Sequence, residues 1–178
     1  HGTEIPMGIN IASENKIAFT KQFPIGPVLA ISAFNHPLNL IVHQVGPAIA
    51  AGCPIIIKPA LVTPCTCYEF VNLLIEAGLP NEFCQMININ NHSITQNLVS
   101  DSRIAFFSFI GSSSIGWKLK SMLSPGTKCA LEHGGVASVI IDQNTNLKEI
   151  LPSILRGSFY HAGQVCVSIQ KVIIHNDI

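Results

Sequence analysis

Short apolar runs of strand length alternate along the chain with longer stretches of helical period, and turn residues separate the two. The strand-like runs fall at 28–32, 54–57, 83–89, 104–109, 128–131, 137–141 and 171–174. Between the first two, Leu38, Ile41, Val42, Val45 and Ile49 recur every three or four positions after Pro37. That spacing predicts a helix with Gly52 as its C-terminal stop and a kink at Pro47. Thr63-Pro64 supplies a cap and a first helical proline for a second helix, whose stripe is Phe70, Val71, Leu74 and Ile75 and whose end is Gly78. Further helices are expected at 93–99, from the Gly/Ser turn at 110–116 through Leu119 and Met122, and at 146–159. Regular strand-helix alternation is the signature of βαβ units and a mainly parallel sheet. Residues 5–19 alternate only loosely and hold few helix formers, which predicts an extended hairpin away from that sheet.

Composition narrows the picture. A length of 178 residues suits one domain, or one domain with part of another. Charged residues make up 11% and hydrophobic ones 48%, against about 25% charged in an average soluble domain. Disorder is excluded, and much of the surface is made for burial. Ten Lys+Arg balance ten Asp+Glu with no basic cluster, which argues against nucleic acid as a partner. No Asp, Glu, Lys or Arg stands between Lys21 and Lys58, but Pro, Gly, Asn and His interrupt the stretch too often for a bilayer span, so no membrane association is expected. No initiator Met or leader pattern opens the chain and an apolar strand lies next to its end, so a piece of a longer protein is expected. Cysteines 53, 65, 67, 84, 129 and 166 are scattered without a Cys-x-x-Cys pair. That pattern suits reduced thiols in a cytoplasmic α/β protein better than a disulfide framework or a zinc site.

Four places carry candidate chemistry. Gly111-Ser112-x-x-x-Gly116 follows a strand and opens a helix, so its backbone N–H groups suit a diphosphate, although the same residues also serve simply as a cap. The Gly-x-Gly-x-x-Gly fingerprint is absent. Cys166 sits in a polar, Gly-containing turn, Tyr160-His161-Ala162-Gly163-Gln164-Val165-Cys166-Val167-Ser168, which separates it from the buried small hydrophobe that a lone Cys usually is. His161 suggests a Cys–His pair, but a separation of five residues carries little geometric information. Glu132-His133-Gly134-Gly135 follows a strand and allows a ligand close to the backbone, or is a solvated turn. Asn35 stands where the first strand meets its helix, as a cap and turn residue.

Taken in order and at their separations, five segments resemble the aldehyde dehydrogenase superfamily. They are Phe34-Asn35-His36-Pro37-Leu38-Asn39-Leu40, Lys58-Pro59, Phe109-Ile110-Gly111-Ser112-x-x-x-Gly116, Leu131-Glu132-His133-Gly134-Gly135 and Gly163-Gln164-Val165-Cys166. The resemblance implies an open Rossmann-like, mainly parallel sheet flanked by helices, with an N-terminal hairpin and the beginning of a second α/β domain. It divides the chain into an oligomerisation-type hairpin (1–22), a dinucleotide-binding domain (23–135) and the start of a catalytic domain (136–178). The implied reaction is oxidation of an aldehyde to the carboxylic acid, with NAD or NADP taking the hydride. By the resemblance Cys166 is the nucleophile, Asn35 the oxyanion donor and Glu132 the base for thioester hydrolysis. Lys58 is implied for the adenosine ribose and Ser112 for the pyrophosphate. Gly111 and Gly116 shape that turn, Phe34 lies beside the nicotinamide, and His133 belongs with the cofactor residues.

Three departures stand out against the resemblance. Leu61 replaces a Glu that many members use on the ribose hydroxyls, which leaves NADP open. His133 replaces the usual Leu, and Lys171 a common Arg. The partners implied are a small-molecule aldehyde and, for the complete protein, further copies of itself; the piece alone is expected to be inactive. A CoA-acylating member, in which a thiol takes the acyl group, and a non-catalytic dinucleotide-binding or scaffold module are the alternatives.

Overall fold

The computed structural model describes residues 2–178. A small antiparallel pair comes first, β1 (Glu4–Ile5) and β2 (Ala18–Phe19), with a 3-10 turn between them. That turn is closed by Asn10, whose side chain accepts from the Ser13 amide at 3.0 Å. Thr20 N–H also donates to the Thr3 carbonyl at 2.9 Å, and the residues between the strands bend and turn, so the ladder of the expected hairpin is two residues on each side.

The main body alternates strictly: β3 (Val28–Ile31), α1 (Pro37–Ala50), β4 (Ile55–Lys58), α2 (Pro64–Glu76), β5 (Cys84–Met86), α3 (His92–Val99), β6 (Phe106–Gly111), α4 (Ser113–Lys120) and β7 (Lys128–His133). The five strands are all parallel, in the order β5-β4-β3-β6-β7. Successive side chains of a strand point to opposite faces, and the core divides accordingly. Val28, Ala30, Ile55 and Ile57 pack under α1 and α2 with Ile41, Val45 and Val71. Leu29, Phe107 and Phe109 pack under α3 and α4 with Val99 and Leu119. The chain leaves β3 toward β4 and β5 and then returns to β6 on its other side, so β3 and β6 flank the point where the winding reverses. Open α/β sheets bind ligands outside the strand ends at such a point.

Local signals explain the helix ends. Gly52 at φ +76° and Gly78 at φ +99° end α1 and α2. In both, the next amide reaches back to the helix: Cys53 N–H to the Ala48 carbonyl at 2.8 Å, Leu79 N–H to Leu74 at 3.0 Å. These are paired six-to-one and five-to-two closures that favour glycine. Asn91 caps α3 through the Ser93 and Ile94 amides.

Several expectations shift. Helix α1 runs from Pro37 to Ala50 with Pro47 inside it and turns Ile41, Gln44, Val45 and Ala48 to the core. Leu38 and Val42, expected on that face, are exposed. Thr63 occupies the cap position of α2, yet its hydroxyl makes no cap bond and is buried without a partner. Strand β5 is shorter than 83–89, because only three residues have a partner strand in β4. Strand β7 extends past Leu131 to include Glu132 and His133, since β6 is long enough to pair with both. Beyond it, β8 (Ala137–Ile141), α5 (Leu147–Phe159) and β9 (Ile169–Ile174) form a separate parallel βαβ unit. No helix among the described residues is long and apolar enough to cross a membrane.

Candidate active site

A cavity of about 940 Å³ opens on the α1 side of β6 and β7 and runs to the ends of the strands. Asn35, Glu132 and Cys166, from three distant stretches of chain, all line it, as do Phe34, Gly111 and Ser112. Strand alternation sets this arrangement. Ser108 and Ile110 of β6 and Ala130 and Glu132 of β7 share the cavity face, while Phe107, Phe109 and Leu131 turn to the opposite core. Asn35 enters from the turn between β3 and α1, and Cys166 from the loop after α5.

That loop is tied to the first βα turn. The Asn35 side-chain NH₂ donates to the Gln164 carbonyl at 2.8 Å, joining positions 129 residues apart. Ser168, buried, donates its hydroxyl to the Gly163 carbonyl at 3.2 Å, and Gln170 donates to Gly135 at 2.9 Å. His161, Ala162 and Gly163 all have positive φ, at 54°, 56° and 72°. For the two residues that carry a Cβ this costs on the order of 1 kcal/mol each. The ring of His161 stacks on His36 at a centroid distance of 4.9 Å, and no hydrogen bond links it to Cys166 among the described residues. The Cys–His pair is therefore absent.

All six cysteines are free. Cys166 and Cys65 are exposed, while Cys53, Cys67 and Cys84 are buried. Burial pushes the Cys67 thiol up to about 12, with the neighbouring Cys84 adding to the effect, and Cys84 up to about 11. These two stay protonated and inert at neutral pH.

Lys58 and Gly116 lie on the other face, and His133, which also borders the cavity, turns its ring toward α4. Lys58, at the end of β4, shares the side of Ile56, which packs under α3 and α4. Burial lowers its pKa from the ordinary lysine value. Gly116 is not part of the turn but sits in the first turn of α4, buried. A Cβ there would stand 3.0 Å from the Phe109 ring and in hard overlap with Nε2 of His133. His133 is held edge-on by Trp117 at 5.2 Å and by Phe109 at 6.1 Å, with Nε2 buried and unpartnered. Glycine at 116 thus lets α4 settle onto β6 and β7. Ser112 makes no side-chain cap bond, so the first amides of α4 are left for an anion at the crest of the sheet. The arrangement suits an elongated ligand with its diphosphate at α4, one end beside Lys58 and the other passing over the strand ends into the cavity.

Gly116→Ala is accordingly expected to destabilise the fold by about 1–3 kcal/mol through overpacking. Thermal melts should show the midpoint fall, and His133→Ala in the same chain should recover part of it. Recovery by that second change is the specific outcome, since alanine is the better helix former here and the loss comes from overlap with His133.

Sequence reasoning missed Gln44. This buried side chain donates to the Ile31 carbonyl at 3.2 Å and to Ser108 Oγ at 2.9 Å, joining α1 to β3 and β6 beneath the cavity. A polar residue between Ile41 and Val45 on the inward face was the available signal. His36, quoted above only within a motif, also proves to be in contact with the Cys166 loop.

Comparison with known proteins agrees with this architecture. The profile of the aldehyde dehydrogenase family matches residues 1–178. A 3-sulfolactaldehyde dehydrogenase of Priestia aryabhattai is 36% identical over 178 residues, covering 100% of this chain and 37% of its own length. Among solved structures, aldehyde dehydrogenase 21 from Physcomitrella patens, in complex with the reaction product succinate, superposes with a TM-score of 0.90 at 33% identity. That match covers 99% of this chain and 37% of the other. Betaine aldehyde dehydrogenase from Staphylococcus aureus, in complex with NAD+, gives 0.91 at 26% identity, covering 99% and 34%. The chain thus spans little more than a third of the length of the relatives it matches. With its Rossmann-like parallel sheet and a full-length profile match, the chain belongs to the aldehyde dehydrogenase family.

Proposed function

We propose that the complete protein carrying this chain oxidises an aldehyde to the carboxylic acid, with NAD or NADP as hydride acceptor. The observation that carries the reading is the convergence of Asn35, Glu132 and Cys166 on one cavity. The sulfur of Cys166 adds to the aldehyde carbon, forming a C–S bond and an oxyanion. Asn35 stabilises that oxyanion through its second N–H, the first being held by the Gln164 carbonyl. The dinucleotide, when bound, takes the hydride from the carbon, leaving a thioester on Cys166. Glu132 removes a proton from the water that attacks this thioester, the C–S bond breaks, and the acid leaves. A thiolate suits both halves, as a strong nucleophile and a good leaving group.

The cofactor residues are Lys58 on the opposite face, Gly116 beneath α4, and the strand ends at Gly111, Ser112 and His133, which with Phe34 border the cavity. Strand β4 ends in Lys58, and no Asp or Glu follows until Glu69. A carboxylate there bonds the ribose 2′-hydroxyl in NAD-specific Rossmann folds; without one, Leu61 leaves room for a 2′-phosphate, so NADP is open beside NAD. Residues 23–135 serve the dinucleotide and 136–178 begin the catalytic domain. The hairpin of 1–22, with Ile9, Ile11, Ile17 and Phe19 exposed, supports a homo-oligomer, and the protein works in the cytoplasm.

The test is absorbance of reduced nicotinamide cofactor with the complete protein, NAD and NADP separately, over an aldehyde panel. Sulfolactaldehyde and succinate semialdehyde belong in that panel, given the relatives. No turnover with any aldehyde, despite dinucleotide binding, would leave a non-catalytic module. Asn35→Ala is expected to lower kcat by about 10²–10³-fold, the usual loss for one oxyanion donor. A smaller change in KM would separate this from a loss of substrate binding.

A further inference from the structure

We propose that His36 is a positioning residue, whose ring holds the strained turn that presents Cys166. The inference rests on Cys166 being the nucleophile. Three residues in succession, His161, Ala162 and Gly163, lie in the left-handed region immediately before Gln164-Val165-Cys166. Only the third is a glycine, so the turn does not hold itself and persists because its surroundings impose it. Ser168 holds the Gly163 carbonyl from within the loop at 3.2 Å, and the contacts from outside it come from adjacent residues at the start of α1. Asn35 takes the Gln164 carbonyl at 2.8 Å. His36 lies over His161, with ring centroids 4.9 Å apart and planes 24° from parallel, and faces Tyr160 at 6.4 Å and 18°.

The clamp has a rigid base. His36 precedes Pro37, which restricts its backbone, and α1 is anchored to the sheet through Ile41, Gln44 and Val45. One side chain thus holds the carbonyl after the left-handed turn, and the next holds the ring at its beginning. Removing the ring leaves the turn with one attachment to α1, and the sulfur of Cys166 loses its fixed place relative to Asn35 and Glu132. Catalytic geometry is sensitive to such displacement, while binding of the rest of the substrate is less so.

The experiment uses the complete protein with His36→Ala, His36→Phe, His161→Asn and the double variant His36→Ala/His161→Asn. Asparagine tolerates the left-handed backbone but carries no ring. Expected for His36→Ala is a kcat about tenfold lower or more with KM little changed, together with faster amide hydrogen exchange over residues 160–166. His36→Phe, which keeps an aromatic face, restores most of both. His161→Asn reproduces the loss, and the double variant loses no more than the worse single, since both changes break one contact. His161 is exposed, so His161→Asn carries the test if His36→Ala fails to fold. Unchanged kcat and exchange in His36→Ala, equal impairment of the Ala and Phe variants, or losses that multiply in the double variant would each overturn the clamp. A Cys166→Ala protein that kept its turnover would overturn the proposed reaction instead, with the exchange data still deciding the clamp.

Discussion

Replacing Cys166 by alanine in the complete protein is expected to abolish aldehyde-dependent formation of reduced cofactor, by about 10⁴-fold or more, as removal of a covalent nucleophile does elsewhere. Dinucleotide binding should remain, because the residues assigned to it come from β4, the β3–α1 turn and the ends of β6, α4 and β7, while Cys166 lies on the loop after α5. No second thiol can substitute. Cys53 also borders the cavity but is only 2% exposed. Cys67 and Cys84 are buried and held protonated, Cys129 is half-buried against the opposite core of Phe107 and Phe109, and Cys65, though exposed, belongs to α2. Peptide mapping with a thiol reagent offers an independent check: Cys166 should be modified faster than Cys65, and prior cofactor binding should change its rate alone. Equal rates at the two exposed thiols, with turnover intact in the alanine variant, would remove Cys166 from the reaction.

How far the sequence reaches can be judged from particular elements. The buried strands were legible because runs such as Val28-Leu29-Ala30-Ile31 and Ile55-Ile56-Ile57 are apolar on both faces, as parallel strands between two helix layers must be. Helix ends at Gly52 and Gly78 were legible from glycine chemistry. Elements set by their neighbours were less so. Strand β7 takes in Glu132 and His133 only because β6 pairs with it that far, and no local preference of Glu-His-Gly-Gly announces this. The consequence is functional: both residues reach the cavity rim, and the ring of His133 also packs beneath α4.

The site divides the same way. Asn35, Glu132 and Cys166 could be paired in advance through the family resemblance, since spacing alone says nothing about a contact across 129 residues. What no resemblance supplied was the state of the loop between them. Left-handed backbone at His161 and Ala162 runs against local propensity, and such conflict is where sequence reasoning fails and functional geometry is found. The exposed apolar residues of α5, Leu147, Leu151, Leu155 and Phe159, follow a clear helical stripe.

Glu132→Gln separates the two halves of the proposed reaction. Amide replaces carboxylate at nearly the same volume, so the cavity and β7 should be undisturbed, and only the capacity to take a proton is lost. Attack by Cys166 and hydride transfer do not need that base, but hydrolysis of the thioester does. The expected result is a stoichiometric burst of reduced cofactor, followed by turnover about 10²–10⁴-fold slower than that of the unmodified protein. During the slow phase, mass spectrometry should find the acyl group on the peptide that contains Cys166. Addition of coenzyme A then decides the competing chemistry, since a thiol acceptor needs no carboxylate to activate it at neutral pH. Release of the acyl group by coenzyme A in the unmodified protein, at a rate exceeding that by water, would assign the acylating reaction. Indifference to coenzyme A, with acyl-enzyme accumulating only in Glu132→Gln, would make water the acceptor and Glu132 its base.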